Sequence, residues 1–240
     1  MLPLKDIFSL LASGEFSNMA IAKDAQGNID EAEYGKIINH INLALIELYK
    51  RFKLLEEELV LCADPAVLTY RLRPEYMAAP GSTTLARYIE QPADSDGTIN
   101  IIEIKDVFDE DNQRIQLNNR YFLPAIKQKS VDTLKITGLI APQKFSVVYQ
   151  AYPSLIKLTN SFDLNLYQLA IPPTIVEPLL FYVASRVYKP IGANNSTANA
   201  DKSASYEQKY ELACQKLTLF GLETDDNDQD MDRFTNQGWV

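Results

Sequence analysis

Between residues 34 and 52 the apolar positions recur at steps of three and four. Tyr34, Ile37, Ile38, Ile41, Leu45, Leu48 and Phe52 therefore share one face of a helix. Lys36, Asn39, Asn42 and Lys50 fall on the opposite side, so the spacing predicts a long amphipathic helix. Its apolar stripe must be buried, against a second helix or against a neighbouring subunit. Upstream, residues 3 to 13 predict a short helix beginning at Pro3, a residue suited to a first helical turn. The polar stretch between the two reads as a connection, with Gln26-Gly27-Asn28 as a turn and Asp30 as an N-cap.

From about residue 57 the period changes. Leu59 to Leu61, Leu68 to Leu72, Ile99 to Ile104, Ile115 to Leu117, Thr133 to Ile136 and Phe145 to Tyr149 are short β-prone runs separated by Pro, Gly, Asn and Asp. Val107 to Ile115 reads as a hairpin whose turn is supplied by Glu110-Asp111-Asn112. Ile171-Pro172-Pro173 ends this region. After Pro178, the residues Leu179, Leu180, Val183, Ala184 and Val187 predict a further helix, halted by Pro190 and Gly192. Residues 192 to 205 read as a polar, low-complexity loop. The stripe Tyr206, Tyr210, Ala213, Leu217, Phe220 predicts a last helix closed by Gly221.

The pattern as a whole predicts an α+β fold. The expected division is a helical bundle from residues 1–56 and 170–222, a β-rich domain at 57–169, and a flexible acidic arm at 223–240. The arm is too acidic and apolar-poor to pack by itself, yet Arg233, Phe234, Trp239 and Val240 place large groups near its end.

Composition narrows the function classes. Thirteen Tyr and ten Phe stand against one Trp, a usage that suits half-buried contact surfaces. The net charge of −9 opposes nucleic-acid binding, and the longest basic cluster, Lys50-Arg51-Phe52-Lys53, is followed at once by Glu56-Glu57-Glu58. No apolar run approaches the roughly 20 residues of a membrane span, and the first residues lack the pattern of a signal peptide. A soluble protein made in a cytoplasm is expected. Cys62 and Cys214, far apart in sequence, are expected as buried reduced thiols.

Catalytic chemistry has few carriers here. His40, the only histidine, lies within the amphipathic helix and is expected as a surface or interface imidazole, without a catalytic role. There is no glycine-rich phosphate loop, and His and Cys are too few for a metal cluster of those ligands. Neither a cofactor nor a metal is expected, and the chain is expected not to be an enzyme. A carboxylate-based hydrolase, with two acids meeting in the β-rich domain, is the alternative from another class.

Residues 147 to 220 carry a more particular pattern. Tyr149-Gln150-Ala151-Tyr152-Pro153 is followed by Ile171-Pro172-Pro173, then by Phe181-Tyr182-Val183-Ala184-Ser185-Arg186-Val187-Tyr188, and later by Tyr206-Glu207-Gln208-Lys209-Tyr210. This resembles the head-to-tail adaptor (connector) proteins of tailed bacteriophages, including the tail tubular protein A type of short-tailed phages. In that family a YxAxP strand end and an (L/I)P step precede a Y(Y)VASR(A/V)Y helix and a last helix rich in Tyr and Gln. The early helix around Ile37 to Tyr49 is similar to theirs as well.

The resemblance implies a structural protein of the virion that forms a ring, usually of twelve copies, beneath the portal. Its implied partners are the portal, a tail or nozzle protein, and further copies of itself. DNA would pass through the channel without specific binding. The helical part would build the ring, with Tyr182, Arg186, Tyr188, Tyr206 and Tyr210 in subunit or core packing. Arg233, Phe234, Trp239 and Val240 would form a portal-binding arm. Another neck or tail completion protein is the nearest alternative.

Overall fold

The computed structural model describes residues 2–16, 29–79, 81–90, 97–119, 121, 123–158, 162–189 and 197–222. It is a mixed α+β structure, with several sheets and four α-helices among the described residues, and it divides into two compact units. One comprises residues 1–53 and 153–240, the other residues 54–152. Among the described residues no helix is long and apolar enough to cross a membrane.

The first unit opens with β1 (Leu2–Pro3) and α1 (Leu4–Leu10), which continues as a π-helical turn to Glu15. Pro3 is the N-cap of α1, one position before the first turn expected for it. Asp30 caps the next helical segment, its carboxylate accepting from the Ala32 N–H at 3.3 Å. A short 3-10 turn there leads into α2 (Tyr34–Arg51). The predicted stripe is the buried one: Ile37, Ile38, Ile41, Leu45 and Leu48 are all inaccessible. Phe52 lies just past the helix in extended conformation and is buried as well.

The second unit holds most of the strands. These are β2 (Glu56–Ala63), β3 (Thr69–Arg71), β4 (Met77–Ala78), β5 (Ile89–Glu90), β6 (Ile101–Phe108), β7 (Arg114–Ile115), β8 (Ala125–Ser130), β9 (Thr133–Thr137) and β10 (Gln143–Ala151). They form a six-stranded sheet ordered β4-β5-β2-β10-β6-β7 and a three-stranded sheet ordered β3-β9-β8. Period-two alternation sends Leu59 and Leu61 of β2 and Phe145, Val147 and Tyr149 of β10 inward. There they share one core with Tyr70, Ile126, Leu134 and Ile136 of the smaller sheet. The hairpin turn between β6 and β7 is organised by Asp109, whose carboxylate accepts from the N–H groups of Asp111 at 3.0 Å and Gln113 at 2.8 Å. Asn112 takes the positive φ of 62° that the turn requires.

The chain returns to the first unit at Pro153, so residues 153–169 lie with the helices and not with the β-rich region expected to run to residue 169. Two contacts explain this. Asn42 of α2 brackets Ile156, donating to its carbonyl at 3.0 Å and accepting from its N–H at 2.9 Å. Further on, β11 (Gln168–Leu169) pairs antiparallel with β1. Then come α3 (Val176–Tyr188), with Pro178 inside its first turn, and α4 (Thr197–Leu219). The helical start at Thr197 corrects the expected loop over 197–205, while its first part, 192–196, lies outside the described residues. This part of α4 is mostly exposed, so it carries no apolar stripe to betray a helix, while its Ala and Lys content tolerates one.

Candidate subunit-contact surface

In the first unit α3 and α4 pack along their length through aromatic rings. Tyr182 meets Tyr210 edge-on at 5.3 Å between ring centroids, and Tyr188 stacks on Tyr206 at 5.5 Å with only 13° between the planes. Phe181 adds a tilted contact to Tyr206, and Phe16 an edge contact to Tyr188. Each such pair contributes about 0.5–1.5 kcal/mol beyond the area it buries. Cations cover the exposed sides of the rings. Arg186 reaches back one turn to Tyr182, with its guanidinium 5.1 Å from the ring centroid and Nη2 donating to the hydroxyl at 3.1 Å. Lys209 lies 4.7 Å from the Tyr206 centroid and Lys202 5.2 Å from that of Tyr188. All five residues singled out on these helices thus meet in one seam.

Polar anchors set the register of the pair. The Ser203 hydroxyl donates to the Ser185 carbonyl at 2.9 Å, and the Tyr188 hydroxyl to the Glu15 carbonyl at 2.8 Å. Arg51, from the end of α2, bonds Glu211 at 2.8 Å and sits 5.8 Å from the centroid of Tyr210. The Tyr210 hydroxyl is buried without a well-formed hydrogen bond, although the Cys214 thiol and the Arg51 guanidinium lie close to it. Burial, together with the nearby Cys214 thiol, pushes its pKa far above the ordinary tyrosine range. Tyr206 is raised likewise, first by burial and then by Glu15. Neither phenol ionises near neutral pH, so the seam is held by packing and neutral dipoles. Arg51, Phe181 and Lys209 stand in runs that the sequence displays, but neither they nor Glu211 could be assigned to this packing. The contacts of Arg51 with Glu211 and Tyr210, and of Phe181 with Tyr206, join different helices.

With its inner side engaged, α4 presents a second stripe outward. Ala204, Gln208, Leu212, Gln215 and Leu219 are exposed at steps of three and four, flanked by Glu207 and Glu211. Phe220, expected on the buried stripe, is instead 86% exposed. The helix ends beside it in a Schellman turn: Leu222 N–H bonds Leu217 O and Gly221 N–H bonds Thr218 O, each at 3.1 Å, with Gly221 at φ +86°. That reversal carries Phe220 off the inner face. Leu212, Leu219 and Phe220 together make the exposed apolar surface of this helix.

The other candidate groups lie elsewhere. Arg233, Phe234, Trp239 and Val240 fall outside the described residues, as do the arm 223–240 and the turn at Gln26 to Asn28. His40 is half-buried on α2 with Nδ1 buried and without a hydrogen bond. Burial, then the positive charges of Lys36 and Arg186, hold its pKa below the ordinary imidazole value. Both cysteines are free thiols; Cys214 is buried, but Cys62 is only half-buried, at a cleft that also includes Tyr70, Thr83, Tyr88, Glu110 and Lys144. Burial raises the Cys62 pKa, which disfavours the thiolate a nucleophile needs. Of the acidic run on β2, Glu57 accepts from the Tyr149 hydroxyl at 2.8 Å and Glu58 from the Ser146 hydroxyl. Among the described residues no group of three or more His, Cys, Asp or Glu is placed to hold a metal ion. No protein-family model matches this chain, and no curated protein matches it significantly.

Proposed function

We propose that this chain is a structural head-to-tail adaptor of a tailed bacteriophage, forming a ring that joins the portal to the tail or nozzle and continues the DNA channel. In this reading the N- and C-terminal helices form a bundle that builds the ring, the β-rich unit is inserted between them, and residues 223–240 form an arm toward the portal. The chain is made in the host cytoplasm, resides at the head–tail junction of the virion and catalyses nothing.

One observation carries the reading beyond the sequence resemblance. The inner face of α4 is occupied by the tyrosine seam, while Leu212, Leu219 and Phe220 remain exposed on the same helix. A helix whose inner face is engaged and whose exposed side still shows three large apolar residues among polar ones suits contact with a further copy of the chain or with another virion protein. The acidic balance of −9 supports the same role, because a ring of such chains presents a channel to which DNA does not adhere.

The test is docking on purified portal rings, followed by negative-stain imaging. The full chain should add a ring of density beneath the portal. A Leu212→Glu/Phe220→Glu chain, with unchanged circular dichroism, should fail to close that ring. A version ending at Leu222 separates the arm from the body, since docking without residues 223–240 assigns the contact to the helices. Failure of the full chain to bind any portal tested overturns the adaptor reading.

A further inference from the structure

The outward face of the three-stranded sheet concentrates positive charge in an acidic protein. Tyr70, Ile126, Leu134 and Ile136 point into the core, so Arg71, Lys127 and Lys135 lie on the opposite face. The register sets Lys127 directly across from Lys135, with Thr69 on the other side of Lys135. Lys129 stands in the register shift between Gln128 and Ser130, exposed at the edge. Like charges directly opposite on neighbouring strands destabilise a sheet. No ion pair relieves Arg71, Lys127, Lys129 or Lys135 among the described residues. The carboxylate nearest in sequence to β9, Asp132, is held by Arg73 at 2.7 Å and by the hydroxyls of Ser130 and Thr133. With 32 acidic residues in the chain, this is not for want of acids. Departures from local consistency of this kind are expected at functional sites.

We infer that this face is a docking site for an acidic chain segment, and that its occupant is residues 223–232 of a second copy of the chain. Those ten residues hold six carboxylates and no base. Asp226, Asp228, Asp230 and Asp232 recur at every second position. In an extended conformation they fall on one side, about 6.8 Å apart, which matches the step between alternate residues on β8. The face spans three strands, about 10 Å across. The four alternate aspartates can be set against the four cations of this face, whereas a long polyanion such as duplex DNA would overrun it onto a chain whose remaining charge is unfavourable. Because every copy carries both halves, the contact is head-to-tail and can repeat from copy to copy. The inference does not rest on the adaptor reading; it needs only a second copy of the full chain.

Mixing nitrogen-15-labelled and unlabelled full-length chains, then applying a zero-length carbodiimide cross-linker at low salt, tests it directly. The expected products are mixed-isotope links joining Lys127, Lys129 or Lys135 to carboxylates of 223–232. Links only between chains of one label, or from the segment only to other lysines, would overturn the inference. A second measurement is the concentration dependence of sedimentation. Lys127→Glu/Lys135→Glu should weaken self-association about tenfold, as should raising the salt to screen the contact. Adding Asp228→Lys/Asp230→Lys to that variant should restore it, which a merely misfolded protein would not allow. Unchanged association in the lysine variant overturns the proposal. So does loss of the cross-links to a short DNA duplex at physiological salt, which would mark the face as a nucleic-acid surface.

Discussion

The ring of Tyr182 meets that of Tyr210 edge-on, 5.3 Å apart at 69°, and the hydroxyl of Tyr210 is buried there without a well-formed hydrogen bond. The ring and the hydroxyl therefore contribute unequally to stability. Removing the whole side chain in Tyr210→Ala leaves a cavity at the α3–α4 seam and should cost about 3–5 kcal/mol in denaturant unfolding. Removing only the oxygen in Tyr210→Phe takes away a buried hydroxyl that has only the Cys214 thiol and the Arg51 guanidinium close by, and should be neutral or stabilising by up to about 1 kcal/mol. A double-mutant cycle between Tyr182 and Tyr210 should give a coupling of about 0.5–1.5 kcal/mol.

His40 makes stability depend on pH in a defined direction. Its folded-state pKa is depressed, first by burial and then by Lys36 and Arg186, so the folded protein prefers the neutral imidazole. The unfolded chain binds the proton more readily below about pH 6.5. The contribution is therefore present above that pH and is lost as pH falls through it toward the lower folded-state value. Urea midpoints measured from pH 7.5 to 5.5 should decline in the natural chain and decline less in His40→Gln. An equal slope in both would assign the dependence to other groups.

The helices and the inward faces of the strands were legible in the sequence to different depths. For α2 most of the buried stripe could be read from the spacing, because one face meets the core; Ala44 and Tyr49 are buried beyond it, and Tyr34 is only half-buried. The first turns of α4 were hidden because most of their residues face solvent and supply no apolar period. β8 was hidden because its run, Ala-Ile-Lys-Gln-Lys-Ser, sends only Ile126 into the core. Without β8 the pairing of Lys127 against Lys135 is invisible too, since the two lie eight residues apart and only the strand register brings them face to face. On α4, Tyr206 and Tyr210 could be picked from their spacing, whereas Tyr182 and Tyr188 of α3 stood out only through the resemblance. Arg186 over Tyr182 and Lys209 over Tyr206 are contacts within one helix, at steps of four and three. Lys202 over Tyr188 and Arg51 over Tyr210 depend on packing between helices, which no single-helix pattern contains.

Asn42 decides where residues 153–169 belong. Its side chain makes two hydrogen bonds to the backbone of Ile156, at 3.0 and 2.9 Å, both half-shielded from solvent. Asn42→Ala leaves a backbone N–H and carbonyl without these partners and should cost about 1–3 kcal/mol. The loss should be local as well as global. Limited proteolysis should cut between Pro153 and Leu169 faster in the variant, while cleavage within α2 and α3 stays slow. Equal cleavage rates would show that the β1–β11 pairing alone holds the segment.

Gly138 separates two sources of strain that usually arrive together. It follows β9 at φ +83°, and a Cβ there would come within 2.3 Å of Leu123 Cδ2. The clash is cheap to relieve, since Leu123 is 76% exposed and its side chain can turn outward. The backbone angle cannot be relieved, because it is set by the chain's departure from a strand paired along its length with β8. Gly138→Ala should therefore cost about 1–2 kcal/mol, chiefly from the positive φ. Adding Leu123→Ala should recover only a small part of that. Asn at position 138, which tolerates the left-handed region better, should cost less than Ala despite its larger side chain. If Leu123→Ala rescued the alanine variant fully, contact rather than conformation would be the reason for glycine at this position.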